Sequence, residues 1–297
     1  MESKVHDFID RLNNEMDDFS KGQKLIAKYI INHYDKAAYM TAARLGEVVG
    51  VSESTVVRFA IELDFDGYPK LQKIIQEMIR SKLTSIQRME VSSSRIDSNN
   101  ILKSVIQLDM EKLKITLDEI DRDSFDKIVD CILGGKKIYI LGVRSSAPLA
   151  SFLGFYFNLI FDNIRLVHTT SVSEMFEQIL NVSKDDVVIG ISFPRYSKRT
   201  VKAMKFVKTQ GAKIIAITDS DDSPISEYCD YSIIARSDMA SFVDSLVAPL
   251  SVINALIVAI GLKRKEFLSN NFERLEKIWD EYQVYEKYDN NNEIKYK

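Results

Sequence analysis

The sequence predicts an all-α N-terminal domain followed by a three-layer α/β/α domain built on a parallel sheet. A chain of 297 residues suits about two domains, at roughly 150 residues each. Residues 1–80 show helical periodicity throughout, whereas short apolar runs rich in β-branched residues begin after Asp123. Continuous apolar strands that alternate with helices are typical of a parallel sheet covered on both faces, so the second half is assigned to that class.

The chain divides into four predicted segments. Residues 1–80 form the helical domain, 81–123 a linker and a bridging helix, 124–283 the α/β domain, and 284–297 a polar tail. The polar stretch 80–100 fits either a linker or a loosely packed helix. The bridging helix is predicted over Ile101–Ile120, and a helix that opens with an S-x-x-Q capping box over Ser20–His33. The five strands are predicted at Ile138–Val143, Ile164–Val167, Val187–Ser192, Ile214–Thr218 and Tyr231–Ile234.

Composition indicates a cytoplasmic protein without a membrane span. The net charge is −3, so no overall positive field attracts nucleic acid or an anionic membrane. No signal-peptide pattern begins the sequence, and the two cysteines are far apart, which fits a reducing compartment. The most apolar stretch, Phe242–Leu262, is interrupted by Asp244 and Pro249, and we expect a buried helix there. Histidines and cysteines lack zinc-ligand spacing, so neither a metal nor a cofactor is expected.

The stretch Thr41–Phe59 has the pattern of a helix-turn-helix. Thr41 and Ser52 can cap the two helices, Gly50 can form the turn between them, and Gly46 stands where the helices approach closely. The positions that must be buried between the helices are all apolar: Leu45, Val49, Val51, Val56 and Phe59. This agreement in register predicts a DNA-binding module whose second helix enters the major groove.

Four outward positions of the second helix are the candidates for contact with double-stranded operator DNA: Ser52, Ser54, Thr55 and Arg58. The hydroxyls suit phosphates or base edges, and Arg58 suits a bidentate contact to guanine. The alternative is structural, with Ser52 acting only as a helix cap and Thr55 bonding only its own backbone. Between residues 40 and 80 there are five basic and six acidic residues, so non-specific phosphate binding is expected to be weak. Dimerisation would then supply affinity by presenting two such helices together.

Two loops of the second domain are predicted to meet at one ligand site. The first follows strand Ile138–Gly142 and the second follows strand Val187–Ile191, and a helix comes after each loop. Open α/β sheets bind ligands at the carboxyl ends of their strands, and a 2-1-3-4-5 strand order would bring these loops face to face. Hydroxyls, backbone N–H groups and helix N-termini make an anion site, here for a phosphate-bearing ligand. The candidate residues are Ser145, Ser146, Ser192, Arg195, Tyr196, Ser197 and Thr200. The alternative is that these serines are ordinary turn and cap residues.

The run Gly50–Gln72 resembles the N-terminal domain of the RpiR/MurR family of bacterial transcriptional regulators, most specifically at Phe65, Gly67, Tyr68 and Pro69. The resemblance implies a C-terminal sugar isomerase (SIS) domain, a sugar phosphate ligand, palindromic DNA sites and a homodimer or homotetramer. SIS domains usually carry Ser-x-Ser-Gly-x-Thr after the third strand. Ser192 and Ser197 match the outer hydroxyl positions, whereas Pro194 and Arg195 replace the middle serine and the glycine.

Three functions fit this sequence. The leading prediction is a non-enzymatic, ligand-gated DNA-binding regulator. A sugar-phosphate isomerase with a vestigial DNA-binding module is the second, and it would need a general base such as His168, Glu174 or Glu177. The third is a non-catalytic module that acts through a protein partner. The scarcity of bases favours the first, since residues 239–262 hold one charged side chain, Asp244.

Overall fold

The computed structural model describes residues 2–79, 84, 86–89, 96–169, 171–237 and 243–285. Predictions for the polar residues 90–95 and for the tail at 289–293 lie outside these ranges. Six helices build the N-terminal domain: α1 (Glu2–Asn14), α2 (Lys21–Asn32), α3 (Tyr34–Ala37), α4 (Ala42–Val49), α5 (Glu53–Glu62) and α6 (Tyr68–Ile79). They share one apolar core that includes Leu12, Ile26, Leu45, Phe59 and Leu71.

The capping groups that the sequence predicts in this domain are present. Ser20 and Gln23 form the reciprocal capping box of α2, and Thr41 accepts a hydrogen bond from the backbone N–H of Arg44. Ser52 likewise caps α5, and Gly50 ends α4 in the left-handed conformation at φ 79°. The helix-turn-helix prediction is therefore confirmed down to its capping residues.

Tyr68 fixes the start of α6 inside the domain. Its hydroxyl donates to the carbonyls of Met40, at 2.9 Å, and Ala37, at 3.3 Å, which ties α6 to the chain between α3 and α4. The side chain is almost fully buried, and this burial raises the pKa of the phenol well above its ordinary value. The tyrosine that belongs to the most specific part of the family pattern thus has a structural role here.

The C-terminal domain is a parallel five-stranded sheet in the order β2-β1-β3-β4-β5, as the sequence predicts. The strands are β1 (Ile138–Gly142), β2 (Ile164–Val167), β3 (Val187–Ile191), β4 (Lys213–Thr218) and β5 (Tyr231–Ile234), within one residue of their predicted ends. Both faces of the sheet are covered by apolar cores. The helices are α7 (Ile101–Glu119), α8 (Arg122–Gly134), α9 (Ala147–Ile160), α10 (Val172–Ile179), α11 (Lys198–Thr209), α12 (Val247–Lys263) and α13 (Lys265–Glu281).

The predicted bridging helix, α7, is joined to the C-terminal domain by polar contacts. Ser245 donates to the Asp109 carboxylate at 2.5 Å, and the backbone N–H of Arg236 donates to the Thr116 hydroxyl at 2.9 Å. These bonds hold both halves of α7 against the chain that follows β5.

The predicted apolar helix near the C-terminus is α12. One side of it is buried, at Ile253, Leu256 and Ile260, whereas Val258 and Leu262 are exposed. No single helix in the described ranges is long and apolar enough to cross a membrane; α12 and α13 meet that criterion only as a pair, and they are bent by 96°.

Candidate functional site

The first candidate site is the exposed start of α5. The Ser52 hydroxyl accepts from the Thr55 backbone N–H at 3.3 Å and lies 2.9 Å from the Ser54 hydroxyl and 2.8 Å from the Thr55 hydroxyl. Arg58 is exposed one turn later, and its Nε donates to the Ser54 carbonyl at 3.3 Å. All four predicted DNA contacts therefore lie on one surface. The Ser52 hydroxyl has three hydrogen-bonding neighbours within this helix start, which supports the capping role that the sequence offered as the alternative.

A neighbouring basic residue was missed at the sequence level. The first turn of α2 packs beside α5, because a Cβ placed on Gly22 would lie 3.2 Å from the Thr55 side-chain methyl. Lys21, at the first position of α2, is exposed there. Its proximity depends on tertiary packing, and the signal in the sequence was only a lysine after a capping serine. A helix N-terminus with a lysine beside the reading helix suits contact with a DNA phosphate.

The second candidate site is a cavity of about 620 Å³ at the carboxyl ends of β1 and β3. These strands are direct neighbours in the sheet, so the loops that follow them face each other across the switch point. The cavity is lined by Arg88, Val143, Arg144, Ser145, Ser146, Ser192, Phe193, Arg195, Tyr196, Ser197, Lys198, Arg199 and Asp244. Six of the seven predicted ligand residues are among them.

The loop after β1 turns tightly over the end of its strand. Gly142 permits this turn because a Cβ there would lie 2.7 Å from the Ser146 carbonyl oxygen and 3.0 Å from the Ala150 Cβ. Arg144 then adopts a left-handed backbone at φ 56°, a strained conformation for a residue with a side chain. Both serines of this loop line the cavity, and Ser145 is exposed whereas Ser146 is almost fully buried.

The loop after β3 is anchored at both ends. The Ser192 backbone N–H donates to the Ile217 carbonyl at 3.1 Å, and the Ser197 hydroxyl caps α11 by accepting from the Arg199 backbone N–H. Between them, the Tyr196 hydroxyl donates to the buried Asp219 carboxylate at 2.8 Å. Tyr196 thereby holds the loop against Asp219, the residue that follows β4.

The cavity wall is strongly positive. Among the described lining residues, one side chain is acidic, Asp244, against five that are basic: Arg88, Arg144, Arg195, Lys198 and Arg199. The N-terminus of α11 adds its partial positive charge and its backbone N–H groups. An excess of guanidinium groups around serine hydroxyls suits a dianionic group, because arginine can bond two phosphate oxygens at once.

Two lining residues, Arg88 and Asp244, come from outside the loops that follow β1 and β3. Arg88 was not predicted. Arg88 is 3% exposed and belongs to the helical segment 86–89, and its Nη1 lies 2.7 Å from a carboxylate oxygen of Asp244. The sequence leaves this segment open between a linker and a loosely packed helix, and the structure has a helix there. A usable signal was present, since Thr84 and Gln87 bond each other reciprocally in the T-x-x-Q pattern of a helix start.

The remaining sequence candidates lie elsewhere. Thr200 does not line the cavity: it is fully buried in α11, where its hydroxyl has no hydrogen-bond partner among the described residues. Glu174 is an exposed residue in the first turn of α10 that accepts from the Thr169 hydroxyl. His168 is exposed at the end of β2. Neither Glu174 nor His168 is among the described residues that line the cavity.

Comparison with known proteins accounts for both halves of the chain. Residues 6–82 match the helix-turn-helix domain of the rpiR family, and residues 132–259 match the SIS domain. The chain belongs to the RpiR family. This RpiR-family protein is accordingly a DNA-binding transcriptional regulator with a C-terminal SIS domain.

Relatives that match most of this chain are HTH-type transcriptional regulators. The chain is 28% identical to an uncharacterized HTH-type transcriptional regulator of Clostridium perfringens, with 76% of this chain and 80% of the relative covered. It is 23% identical to the HTH-type transcriptional regulator HexR of Escherichia coli, with coverage of 92% and 94%.

Two solved structures share the fold. The sugar isomerase domain of an RpiR transcription factor from Sphaerobacter thermophilus matches with a TM-score of 0.57 at 23% identity, covering 60% of this chain and 99% of that one. The Vibrio vulnificus NanR protein complexed with ManNAc-6P matches with a TM-score of 0.55 at 18% identity, covering 92% and 98%.

Proposed function

We propose that this RpiR-family regulator binds a sugar phosphate in the cavity at the ends of β1 and β3, and that occupancy changes its affinity for operator DNA. The observation that carries the proposal is the cavity wall, where Ser145, Ser146, Ser192 and Ser197 face five basic side chains. A volume of about 620 Å³ is in the range of small-molecule sites. The sugar phosphate bound by NanR supports the choice of ligand class.

We propose a binding role for this cavity rather than catalysis. Isomerisation through an enediol needs a base and a second acid/base group within reach of the sugar. Of the described lining residues, Asp244 is the sole carboxylate, it is ion-paired with Arg88, and none is a histidine. The isomerase alternative needs His168, Glu174 or Glu177 as a base, and none of the three is among the described residues that line the cavity.

A sugar phosphate should raise the melting temperature of the protein. For a ligand at about 100 times its Kd, stabilisation of roughly 2.7 kcal/mol corresponds to about 5–10 °C for a domain of this size. A thermal-shift panel of ManNAc-6P, glucose 6-phosphate, fructose 6-phosphate and arabinose 5-phosphate tests this, with inorganic phosphate and the dephosphorylated sugars as controls. A hit is then added to a DNA-binding titration.

Two results would contradict the proposed function. If the phosphorylated sugars stabilise no better than their dephosphorylated forms, the cavity is not a sugar phosphate site. If a ligand binds but leaves the DNA affinity unchanged, the cavity is not a sensor. Conversion of glucose 6-phosphate to fructose 6-phosphate by the purified protein would instead support the isomerase.

We propose that the regulator acts in the cytoplasm as a homodimer or homotetramer. The helical domain lacks an excess of basic residues, so a single copy should bind DNA weakly. Two joined copies raise the affinity by avidity. Exposed apolar side chains offer surface for self-association on α7, at Leu102, Met110 and Leu117, and on α12, at Val258 and Leu262.

Arg58→Ala is expected to weaken binding to a selected operator about 5- to 150-fold and to relax the preference at one base pair. The reason is that a bidentate arginine contact to guanine contributes about 1–3 kcal/mol of discrimination. Competition binding against single-base operator variants measures the effect, with an operator selected from a random-sequence pool.

Lys21→Ala is the contrasting variant. We expect it to weaken binding to all sequences alike and to reduce the salt dependence by about one phosphate contact. If Arg58→Ala also weakened all sequences equally, Arg58 would be a phosphate contact rather than a base-reading residue.

A further inference from the structure

Arg88 belongs neither to the sheet nor to the loops at its edge, yet it lines the cavity. The segment 86–89 brings it there from the stretch between the helical domain and α7. The residue is 3% exposed and its guanidinium is 2.7 Å from Asp244, a residue just before α12. Arg88 is thus a buried cationic side chain in the wall of a positively charged cavity, and we count it as part of the site.

The same segment also contacts the helical domain. Gln87, the neighbour of Arg88, donates from Nε2 to the Asp35 carboxylate of α3 at 3.3 Å. Consecutive residues therefore contact the cavity on one side and the domain that carries α5 on the other. A displacement of the backbone at Arg88 would also displace its neighbour Gln87, and thereby the contact with α3.

We propose that Arg88 is a ligand-binding residue of the cavity, and that a bound sugar phosphate competes with Asp244 for its guanidinium and so transmits occupancy to the helical domain. This inference rests on the proposed function. A phosphate monoester carries nearly two negative charges and accepts bidentate bonds from arginine. It therefore competes strongly with a carboxylate for the guanidinium. In this proposal the segment 86–89 shifts with Arg88, so the ligand-free and ligand-bound states differ in how the helical domain is held.

The competition predicts opposite effects for the two partners of the ion pair. Asp244→Asn removes the competing carboxylate and its repulsion of the phosphate, so ManNAc-6P or another hit of the panel should bind several-fold tighter. Arg88→Gln removes the cationic ligand group, so the same sugar phosphate should bind about tenfold more weakly. A purely structural ion pair would give the same sign for both, since loss of either partner leaves the other charge buried.

The decisive experiment measures sugar phosphate affinity by calorimetry, and DNA affinity without and with saturating sugar phosphate. Wild-type protein should change its DNA affinity by about 5- to 150-fold on saturation, the usual size of coupling between two sites. The double variant Arg88→Gln/Asp244→Asn keeps a hydrogen-bonding neutral pair, and its DNA affinity should change less than about twofold. Arg122→Gln, at an exposed position on α8 away from the cavity, is the matched control and should behave as wild type.

Failure of this inference can be told from failure of the proposed function. If wild-type protein neither binds nor responds to any sugar phosphate, the proposed function fails and the role of Arg88 fails with it. If wild-type protein responds and the double variant responds equally, only the role of Arg88 is overturned. Equal weakening by Asp244→Asn and Arg88→Gln also overturns it. Should Arg88→Gln unfold, as its melting curve without ligand would reveal, Asp244→Asn and the double variant still decide.

Discussion

Replacing Gly142 by alanine is expected to weaken sugar phosphate binding strongly. The new Cβ would lie 2.7 Å from the Ser146 carbonyl oxygen and 3.0 Å from the Ala150 Cβ, and neither atom belongs to a flexible side chain. The loop after β1 must therefore lift from its strand, which carries Ser145 and Ser146 away from the cavity. Overpacking of this kind costs about 1–3 kcal/mol, and we expect at least a tenfold loss of affinity in calorimetry.

Gly190→Ala is a matched control in the neighbouring strand. A Cβ there meets the Met204 sulfur at 2.8 Å, which is equally close, but the methionine side chain can change its rotamer. The variant should keep ligand affinity within about threefold of wild type and lose less than about 1.5 kcal/mol of stability. Wild-type affinity in Gly142→Ala would show that the loop after β1 does not hold the ligand.

Gly46→Ala is expected to weaken operator binding strongly while leaving the SIS domain intact. In α4 the added Cβ would lie 2.8 Å from the Val51 carbonyl oxygen and 3.3 Å from the Glu53 backbone nitrogen. Both contacts are to backbone at the start of α5, so the two helices have to separate. A cost of about 1–3 kcal/mol lowers the melting temperature of this small domain by roughly 5–20 °C, and displacement of α5 weakens DNA binding more than about tenfold.

Gly22→Ala tests whether the effect is specific to this crossing. Its Cβ would meet the Thr55 methyl at 3.2 Å and the Val51 methyl at 3.5 Å, both in side chains. We expect a change of under about 1 kcal/mol, partly offset by the better helix propensity of alanine. Operator affinity of Gly46→Ala equal to that of Gly22→Ala would mean that the close approach does not set the position of α5.

Much of the fold could be predicted because its signals are local and redundant. Each strand is a continuous apolar run, so its ends coincide with the first polar or turn residue, as at Val187–Ile191. The helix-turn-helix combines caps at Thr41 and Ser52 with a glycine turn and apolar positions in one register. Parallel topology then brings the ends of β1 and β3 together, which is why the two serine loops could be paired from sequence.

The unpredicted parts of the site depend on contacts between distant residues. Arg88 and Asp244 are 156 positions apart, and nothing local distinguishes Arg88 from a solvent-exposed linker residue except the capping pattern before it. Thr200 shows the reverse error, because its position at the start of a helix suggested a ligand contact whereas the turn of α11 directs it into the core. The strand before a loop indicates where the loop residues lie relative to the cavity. For a helix residue the same prediction requires knowing which side of the helix faces the cavity.

The buried and exposed residues of α5 have separate roles, and this separation affects how the operator specificity of such regulators can diverge. Val56, Phe59 and Ala60 are fully buried, whereas Ser54 and Arg58 are exposed on the same helix and contribute no core packing. Substitutions at the exposed positions are therefore nearly free of folding cost. A duplicated gene could acquire a new operator through two or three changes on this outer face, while its effector cavity stays as it was. The same separation makes the helix a practical place to retarget the protein by design.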